Sequence, residues 1–395
     1  MRQAIRVKGK GCKAQGVALK PGHLLIKYFN CQFLNIAIML RLRHISITQF
    51  KNYERFSVDF TSNVVGISGK NGMGKTNLLD AIYYSCFTRS YFTHGDASNI
   101  LNGTDGFRLK ALFEKDGKDL EVISVYRGGN KKEISVNGVP YEKLSHHIGV
   151  LPVVMIAPDD VELITGGSEG RRKFVDTLIS QLNPGYLQEL IRYNKVLQQR
   201  NSLLKNWNHH SSYELLDALD HQMTAPGDSI FTTRRHYFHE LIPLVKKFYQ
   251  RIAPGSDSIE LNYQSQLSGN DQASLLLDGR EKDILLQRSN YGIHKDDLTL
   301  QLHSQPFKTI ASQGQRKSLL FALKLAEYET IRHHKSSCIL LLDDVFEKLD
   351  EERMKNLMEW VCLENSGQVF ITDTHRGRLE EAFNTLGIAA QEVIL

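Results

Sequence analysis

The stretch "LRLRHISITQF", from Leu40, puts an apolar residue at nearly every second position, the alternation of a strand with one buried face. "RFSVDF" and "NVVGIS" read as two further strands, and "NLLDAIYYSCF" as a helix. Next come the β-like stretches "FRLKALFEKDGKDLEVISVYR" and "KEISVNGVPY", with turn signals at "DG", "GG" and "NG". From residue 170 to 250 the period becomes helical: in "PGYLQELIRYNKVLQQRNSLLKNW", Leu190, Leu197 and Leu204 recur every seven residues, and "TTRRHYFHELIPLVKKFYQRI" forms a second run. Strand character returns in "SIELNYQSQ" and "DLTLQLH". A long helix then follows "ASQGQRKS", and two apolar strands, "SCILLL" and "QVFITDTH", precede a C-terminal helix. No internal repeat or low-complexity tract interrupts the chain. This order predicts an α/β domain in two parts, residues 39–175 and 256–395, split by a mostly helical insertion at 176–255.

Composition is that of an ordinary globular chain, with 41% hydrophobic and 24% charged residues. No apolar run approaches the ~18 residues of a membrane helix, so no membrane partner is expected. The five cysteines show neither zinc-ligand nor disulfide spacing, which predicts reduced thiols in the cytoplasm. The net charge of +5 changes meaning once its source is located: residues 1–38 hold seven Lys or Arg and no acid, leaving 42 basic against 44 acidic residues from Met39 onward. That extension reads as a basic DNA-binding arm, a targeting peptide or untranslated upstream sequence. The clean strand starting at Met39 favours the last.

The chemistry starts at "GISGKNGMGKTN". Gly69, Gly74, Lys75 and Thr76 fit G-x-x-x-x-G-K-[ST], with Gly72 as an extra glycine. A strand that turns through glycines into a helix aims several backbone N–H groups and the positive helix end at one point, which suits a polyphosphate. Gly69, Lys70, Asn71, Gly72, Met73, Gly74, Lys75, Thr76 and Asn77 are therefore candidate nucleotide ligands, Lys75 reaching the β- and γ-phosphates and Thr76 offering its hydroxyl to Mg²⁺. Hydrolysis also needs carboxylates. "CILLLDDVFEKLD" places two at the end of an apolar strand, Asp343 for the Mg²⁺ shell and Asp344 as general base. A second helix start, Ser312, Gln313, Gly314 and Gln315 in "ASQGQ", offers a hydroxyl and free N–H groups to another phosphate.

"ASQGQ" ahead of a strand ending in two aspartates resembles the signature motif of ABC-type ATPases, and the combination resembles the RecF family of bacterial recombination and replication-repair proteins. Four stretches carry the likeness: "GKNGMGKTNLLDAIYY", "PDDVELITGGSEGRRKFVD", "GIHKDDL" and "SQGQRKSLLFALKLAE" with "LLLDDVFEKLD". The chain departs from the family at Ser168 and Ile293, where proline is usual, and at Glu347 to Asp350, where the family has a Ser-Glu-Leu-Asp-like run.

The resemblance implies an ABC/SMC-type ATPase head whose two copies sandwich two ATP molecules, each facing Ser312 and Gly314 of the other subunit. It implies that Lys51 and Asn52 lie beside the nucleotide, that Asp350 belongs to the D-loop, and that Thr372, Thr374 or His375 senses the γ-phosphate. The expected function is an ATP-gated clamp, with weak DNA-stimulated ATPase activity, on single-stranded gaps and their double-stranded junctions. RecO and RecR are its expected partners in loading RecA in place of single-strand-binding protein, with a role in the SOS response. Backbone-directed DNA contact is expected from a local basic face, with Arg234, Arg235, Lys246 and Lys247 on the helical insertion as candidates. Arg171, Arg172 and Lys173 read equally as DNA contacts or as braces for the "PDDVE" segment. Two rivals are a transporter ATPase, against which the helical insertion argues, and an SMC-type structural head, for which the insertion is far too short.

Overall fold

The computed structural model describes residues 40–395 except Asn130, His209, His210, Ser212 and Lys348, together with the Glu347 side chain. The extension at 1–38 lies outside the described residues, as does the side-chain part of the Glu347–Lys348 departure.

An antiparallel sheet opens the head: β1 (Leu40–Phe50), β2 (Tyr53–Asp59), β4 (Gly106–Lys115), β5 (Lys118–Arg127), β6 (Lys131–Val136) and β7 (Val139–Pro140), in the order β2-β1-β4-β5-β6-β7. Between β2 and β4 the chain leaves for β3 (Val64–Ser68) and helix α1 (Lys75–Phe87). After β8 (Val153–Ile156) come the short α2 (Glu162–Thr165), then α3 (Ser168–Leu182), α4 (Pro184–Lys205) and the 40-residue α5 (Tyr213–Ile252). A small lobe follows: β9 (Ile259–Gln264), α6 (Gln272–Asp278), α7 (Arg280–Leu285), β10 (Asp297–Leu302) and β11 (Gln305–Pro306), its strands ordered β11-β10-β9. The last part holds α8 (Phe307–Ile310), α9 (Gln313–Lys335), β12 (Ile339–Leu342), α10 (Glu351–Glu359), β13 (Val369–Asp373), α11 (Arg376–Thr385) and β14 (Gln391–Ile394).

The centre is a parallel sheet ordered β14-β3-β13-β12-β8. Its four inner and β8-side strands, β3, β13, β12 and β8, are buried along their length because both faces are covered, whereas edge strand β14 is largely exposed. Val65, Ile67, Leu341, Phe370 and Met155 face one core, shared with α1 and the antiparallel sheet. Their neighbours Val64, Leu342, Ile371 and Ile156 face a second core, shared with α3, α4, α5 and α9. Because the side-chain period of a strand is two, one short run of sequence feeds both cores.

Two buried glutamines finish the sheets. Gln181 pairs its amide with both backbone groups of Val153 on edge strand β8, at 2.9 and 3.1 Å, as a neighbouring strand would. Gln368 does the same for Leu42 at the bulge in β1, at 2.7 and 3.1 Å.

The helical run expected from Thr232 begins instead at Tyr213 and passes through Pro226 and Pro243. A helix-interior proline costs about 3 kcal/mol. Burial of Leu216, Met223, Ile230, Leu241 and Val245, each fully enclosed, offsets that locally. α3 likewise starts ahead of residue 176 and packs on β10 and α9 of the head.

Arg234 corrects an expectation. Its guanidinium is 1% exposed and bridges Asp176 at 2.9 Å and Asp296 at 2.8 Å, tying α5 to α3 and to the lobe, so it is no DNA contact. Arg235, Lys246 and Lys247 are exposed. Arg171 pairs with Asp297 at 2.7 Å and donates to the carbonyls of Leu163 and Gly166, just beyond the "PDDVE" segment, which is the bracing role.

Candidate nucleotide site

The carboxyl ends of β3, β12, β13 and β8 meet at one edge of the parallel sheet, where ligands bind in open α/β folds. β3 runs into the loop 69–74, where Gly72 and Gly74 have φ of +82° and +109°, a region costly for any residue with a Cβ. A Cβ on Gly74 would also meet the Tyr53 hydroxyl at 2.8 Å and the Asn52 amide at 2.9 Å. Those two side chains clamp the loop: Tyr53 Oη donates to Gly74 O at 3.0 Å, and Asn52 Nδ2 to Gly72 O at 3.4 Å. Asn77, in the first turn of α1, donates to Asn52 Oδ1 at 2.7 Å. Asn52 thus stands against the loop, while Tyr53 was not foreseen. Its signal was its place directly after Lys51-Asn52.

Lys75 is buried, with Nζ held by the carbonyls of Gly69 at 2.8 Å and Lys70 at 3.3 Å, inside the curve of the loop. Lys70, Asn71 and Met73 are exposed on its outer side. Lys51 departs from its expected place. Its ammonium turns inward to Asp80 of α1 at 2.6 Å, so it supports the helix behind the loop rather than standing free beside a nucleotide.

Thr76 Oγ1 donates to both oxygens of Asp343, at 3.1 and 2.9 Å. Asp343 is 3% exposed, and burial pushes its carboxyl up to about 6. The hydroxyls of Thr372 and Thr76 pull the other way, and the adjacent Asp344 carboxylate adds to the rise. A carboxylate buried beside a hydroxyl on a phosphate loop is suited to a cation, which would restore its charged form. Among the described residues no group of three or more His, Cys, Asp or Glu stands ready to hold a metal. The donor set of Thr76 and Asp343 therefore fits Mg²⁺ shared with phosphate oxygens and water, its usual manner of binding.

Thr372, fully buried at the end of β13, joins the two aspartates. Its hydroxyl donates to Asp343 Oδ1 at 2.8 Å and accepts from the backbone N–H of Asp344 at 2.9 Å. Asp344 itself has φ of +44°, a left-handed conformation that aspartate tolerates better than most residues and that collects at functional sites. The other sensor candidates lie apart from this pair. Thr374 donates to Asp373 at 3.2 Å, and His375 is exposed, its backbone N–H bound to Asp373 at 3.0 Å. Both line an open cavity together with Lys70 and Asn71.

Ser312 caps α9. Its Oγ accepts from Gln315 N at 3.1 Å, while Gln315 Oε1 accepts from Ser312 N at 2.8 Å, a closed capping box. Ser312 and Gln313 are exposed, and among the described residues no hydrogen bond joins Ser312 to Gln315 with the phosphate loop. Asp350 caps α10 through Arg353 N at 3.0 Å, and the Arg353 guanidinium lies against Gly314, so D-loop and signature candidates are neighbours.

Residues 41–394 match the family described as RecF/RecN/SMC N terminal domain. The DNA replication and repair protein RecF of Flavobacterium johnsoniae is 42% identical, over 86% of this chain and 96% of its own length. Its namesake from Phocaeicola vulgatus is 39% identical, over 86% and 92%. The chain belongs to the RecF family. A solved RecF bound to ATP, described as a recombination mediator of the RecFOR pathway, superposes with a TM-score of 0.80 at 26% identity, covering 87% of this chain and 94% of that one. An Smc head bound to the C-terminal winged-helix domain of ScpA superposes at 0.52 with 13% identity, over 85% and 90%, and shows the shared ABC/SMC-type fold alone.

RecF membership removes the support for the transporter reading. Among the described residues no helix is long and apolar enough to cross a membrane, which does not bear on an ATPase subunit that couples to separate membrane domains. At Ile293, where the RecF pattern usually has proline, the side chain is buried and the carbonyl accepts from Arg234 at 2.8 Å. That departure is absorbed by core contacts.

Proposed function

We propose that this chain is an ATP-gated DNA clamp whose two copies close over two ATP molecules in the cytoplasm. The observation that carries the reading is the split of the site. The cis half, with Lys75, Thr76, Asp343 and the glycine loop, is assembled within one chain, whereas the preformed turn opens with exposed Ser312 and Gln313, and among the described residues no hydrogen bond ties Ser312–Gln315 to that loop. A second subunit supplies the complementary halves, Ser312 and Gly314 capping the γ-phosphate opposite Lys75.

In this scheme Lys70 to Asn77 cradle the triphosphate with backbone N–H groups, and Lys75 exchanges its two loop carbonyls for β- and γ-phosphate oxygens. Thr76 and Asp343 would hold Mg²⁺, which would supply positive charge against that developing on the phosphate oxygens. Asp344 accepts a proton from the attacking water, held in place by Thr372 through its own N–H. Loss of the γ-phosphate removes the bridge between subunits and opens the clamp. The switch role falls to Thr372 for its contact with Asp343, with Thr374 and His375 on the outer cavity. The substrate is gapped or junction DNA, and RecO and RecR are the partners, in keeping with the pathway named for the solved RecF–ATP structure.

Sedimentation of Asp344→Asn with and without ATP and gapped DNA tests this reading. A dimer formed only with ATP, and retained on DNA, is the expected result; a monomer throughout removes the clamp.

A further inference from the structure

Arg234 is buried, while Arg235, Lys246 and Lys247 stay exposed on the helical insertion. A second basic cluster lies where the head meets that insertion. A cavity of about 550 Å³ lies beside the C-terminal end of α1 and is lined by Arg89, Arg172, Lys173 and, from α4, Asn194. Two carboxylates also face it, Glu169 and Asp176. Asp176 is already committed to Arg234, at 2.9 Å, and to the Tyr186 hydroxyl. Arg89 and Lys173 are exposed, and among the described residues neither pairs with a carboxylate: Arg89 lies over the Phe87 ring, 5.2 Å from its centre.

Arg172 extends the cluster toward the "GIHKDDL" segment, where its Nη1 donates to Asp296 O at 2.8 Å. Lys295, next in line, and Arg288 are both exposed. Burial and then the neighbouring Arg288 and Arg172 push the Lys295 ammonium below its usual range, a sign of cations crowded together. Cations from the end of α1, from α3 and from the lobe thus lie along one side of the fold. Asp296, Asp297 and Glu169 act on Arg172, and Asp283 on Lys295, while Arg89 and Lys173 have no carboxylate within ion-pair distance among the described residues. Repulsion of this kind is relieved by an anion.

The shape favours a polymer over a small ion. The five cations are spread across three separate parts of the fold, and most are exposed rather than converging on one buried point. The adjoining cavity of about 360 Å³, which shares Arg89 and Lys173, adds only Lys324 to them against Asp96, Asp159, Asp160, Glu162 and Glu327, a balance less favourable to phosphate. An anionic strand is steered along one side only.

We propose that the cavity formed by Arg89, Arg172 and Lys173, extended by Lys295 and Arg288, grips the sugar-phosphate backbone of DNA. The inference rests on the clamp reading and gives the clamp a gripping surface. It also gives that surface a mechanical link to ATP: α1 begins at Lys75 on the phosphate loop and ends at Phe87, two residues before Arg89. A rigid helix of ~20 Å connects the two.

The test is fluorescence anisotropy of a labelled gapped duplex, with ATP, titrated across salt concentrations. Arg89→Glu/Lys173→Glu is expected to weaken binding at least tenfold and to lower the slope of log K against log salt by about two, near 0.9 for each phosphate that is no longer neutralised. Lys246→Glu/Lys247→Glu, at exposed positions near the C-terminal end of α5 where Phe248 packs on Trp360, is expected to shift affinity less than threefold. Thermal melting checks the fold. If the double variant melts early, the single Lys173→Gln change carries the test, with a slope reduction near one. Wild-type affinity and slope in the cavity variants overturn the placement while leaving the clamp intact, because the wild-type protein still binds DNA. Tripolyphosphate binding that disappears in the double variant, with DNA binding kept, makes the cavity a small-anion site and likewise overturns it. Failure of the wild-type protein to bind DNA at all overturns both readings.

Discussion

Replacing Thr372 with valine keeps the shape of the side chain and deletes one oxygen. That oxygen has two tasks in a fully buried setting: it donates to Asp343 at 2.8 Å and accepts from the Asp344 backbone at 2.9 Å. A hydrogen bond to a charged group is worth about 1.5–3 kcal/mol, and an orphaned buried N–H costs about 1–3 kcal/mol. Taking about 3 kcal/mol for the pair, and assuming that both bonds persist in the transition state, hydrolysis should slow by about two powers of ten. Lys75 and the glycine loop are untouched, so ATP affinity should move by no more than about threefold. Single-turnover hydrolysis with enzyme in excess over Mg²⁺·ATP reads the chemical step directly. Thr372→Ser keeps the hydroxyl and should recover most of the rate. A Thr372→Val protein that hydrolyses ATP within twofold of wild type, or a serine variant no faster than the valine one, would refute the claim that this hydroxyl positions the two aspartates.

Ser312→Arg should leave ATP binding to the monomer intact and abolish the ATP-dependent dimer, seen by sedimentation, because the exposed turn is needed only across the interface. Arg234→Ala leaves buried Asp296 and half-buried Asp176 without their cation and should cost about 3 kcal/mol in urea unfolding. His294 is pushed down to about 4, by burial first and then by Lys295, Arg172 and Arg200. The unfolded chain takes up that proton near pH 6.5 while the folded one resists, so stability should fall as pH drops from 6.5 toward 4, by about 3 kcal/mol at the low end. His294→Gln should flatten the fall in melting temperature over that range.

The phosphate loop was legible because its chemistry is local. Glycines at Gly72 and Gly74 are demanded by their own φ angles, and Lys75 and Thr76 follow directly in the chain. Asp343 was legible for a similar reason, since a strand buried on both faces must stop where charge begins. Lys51 was misread because its partner, Asp80, lies across the fold on the far side of the loop. Arg234 misled in the same way: on a helical period it looks like a surface cation, and only the return of α3 and the lobe shows two carboxylates waiting for it. Gln181 and Gln368 carry no pattern at all, because each acts by touching backbone that any sequence could supply, and Tyr53, which also binds backbone, had only its place after Lys51-Asn52 to mark it. The full length of α5 was hidden because proline is a local veto, whereas burial along α4 and α9 is a property of the whole molecule.

The closed capping box at Ser312 has a kinetic meaning beyond its geometry. A segment that becomes ordered only on contact surrenders about 1–2 kcal/mol of backbone freedom per residue at that moment. Residues Ser312 to Gln315 have already given theirs up within the free subunit, fixed by reciprocal bonds of 3.1 and 2.8 Å. In the proposed clamp two subunits would therefore meet as finished surfaces, and the ~4–8 kcal/mol that four such residues represent would not be subtracted from the contact. A bridge spared that cost can be thin, and a thin bridge is one that the loss of a single phosphate can break.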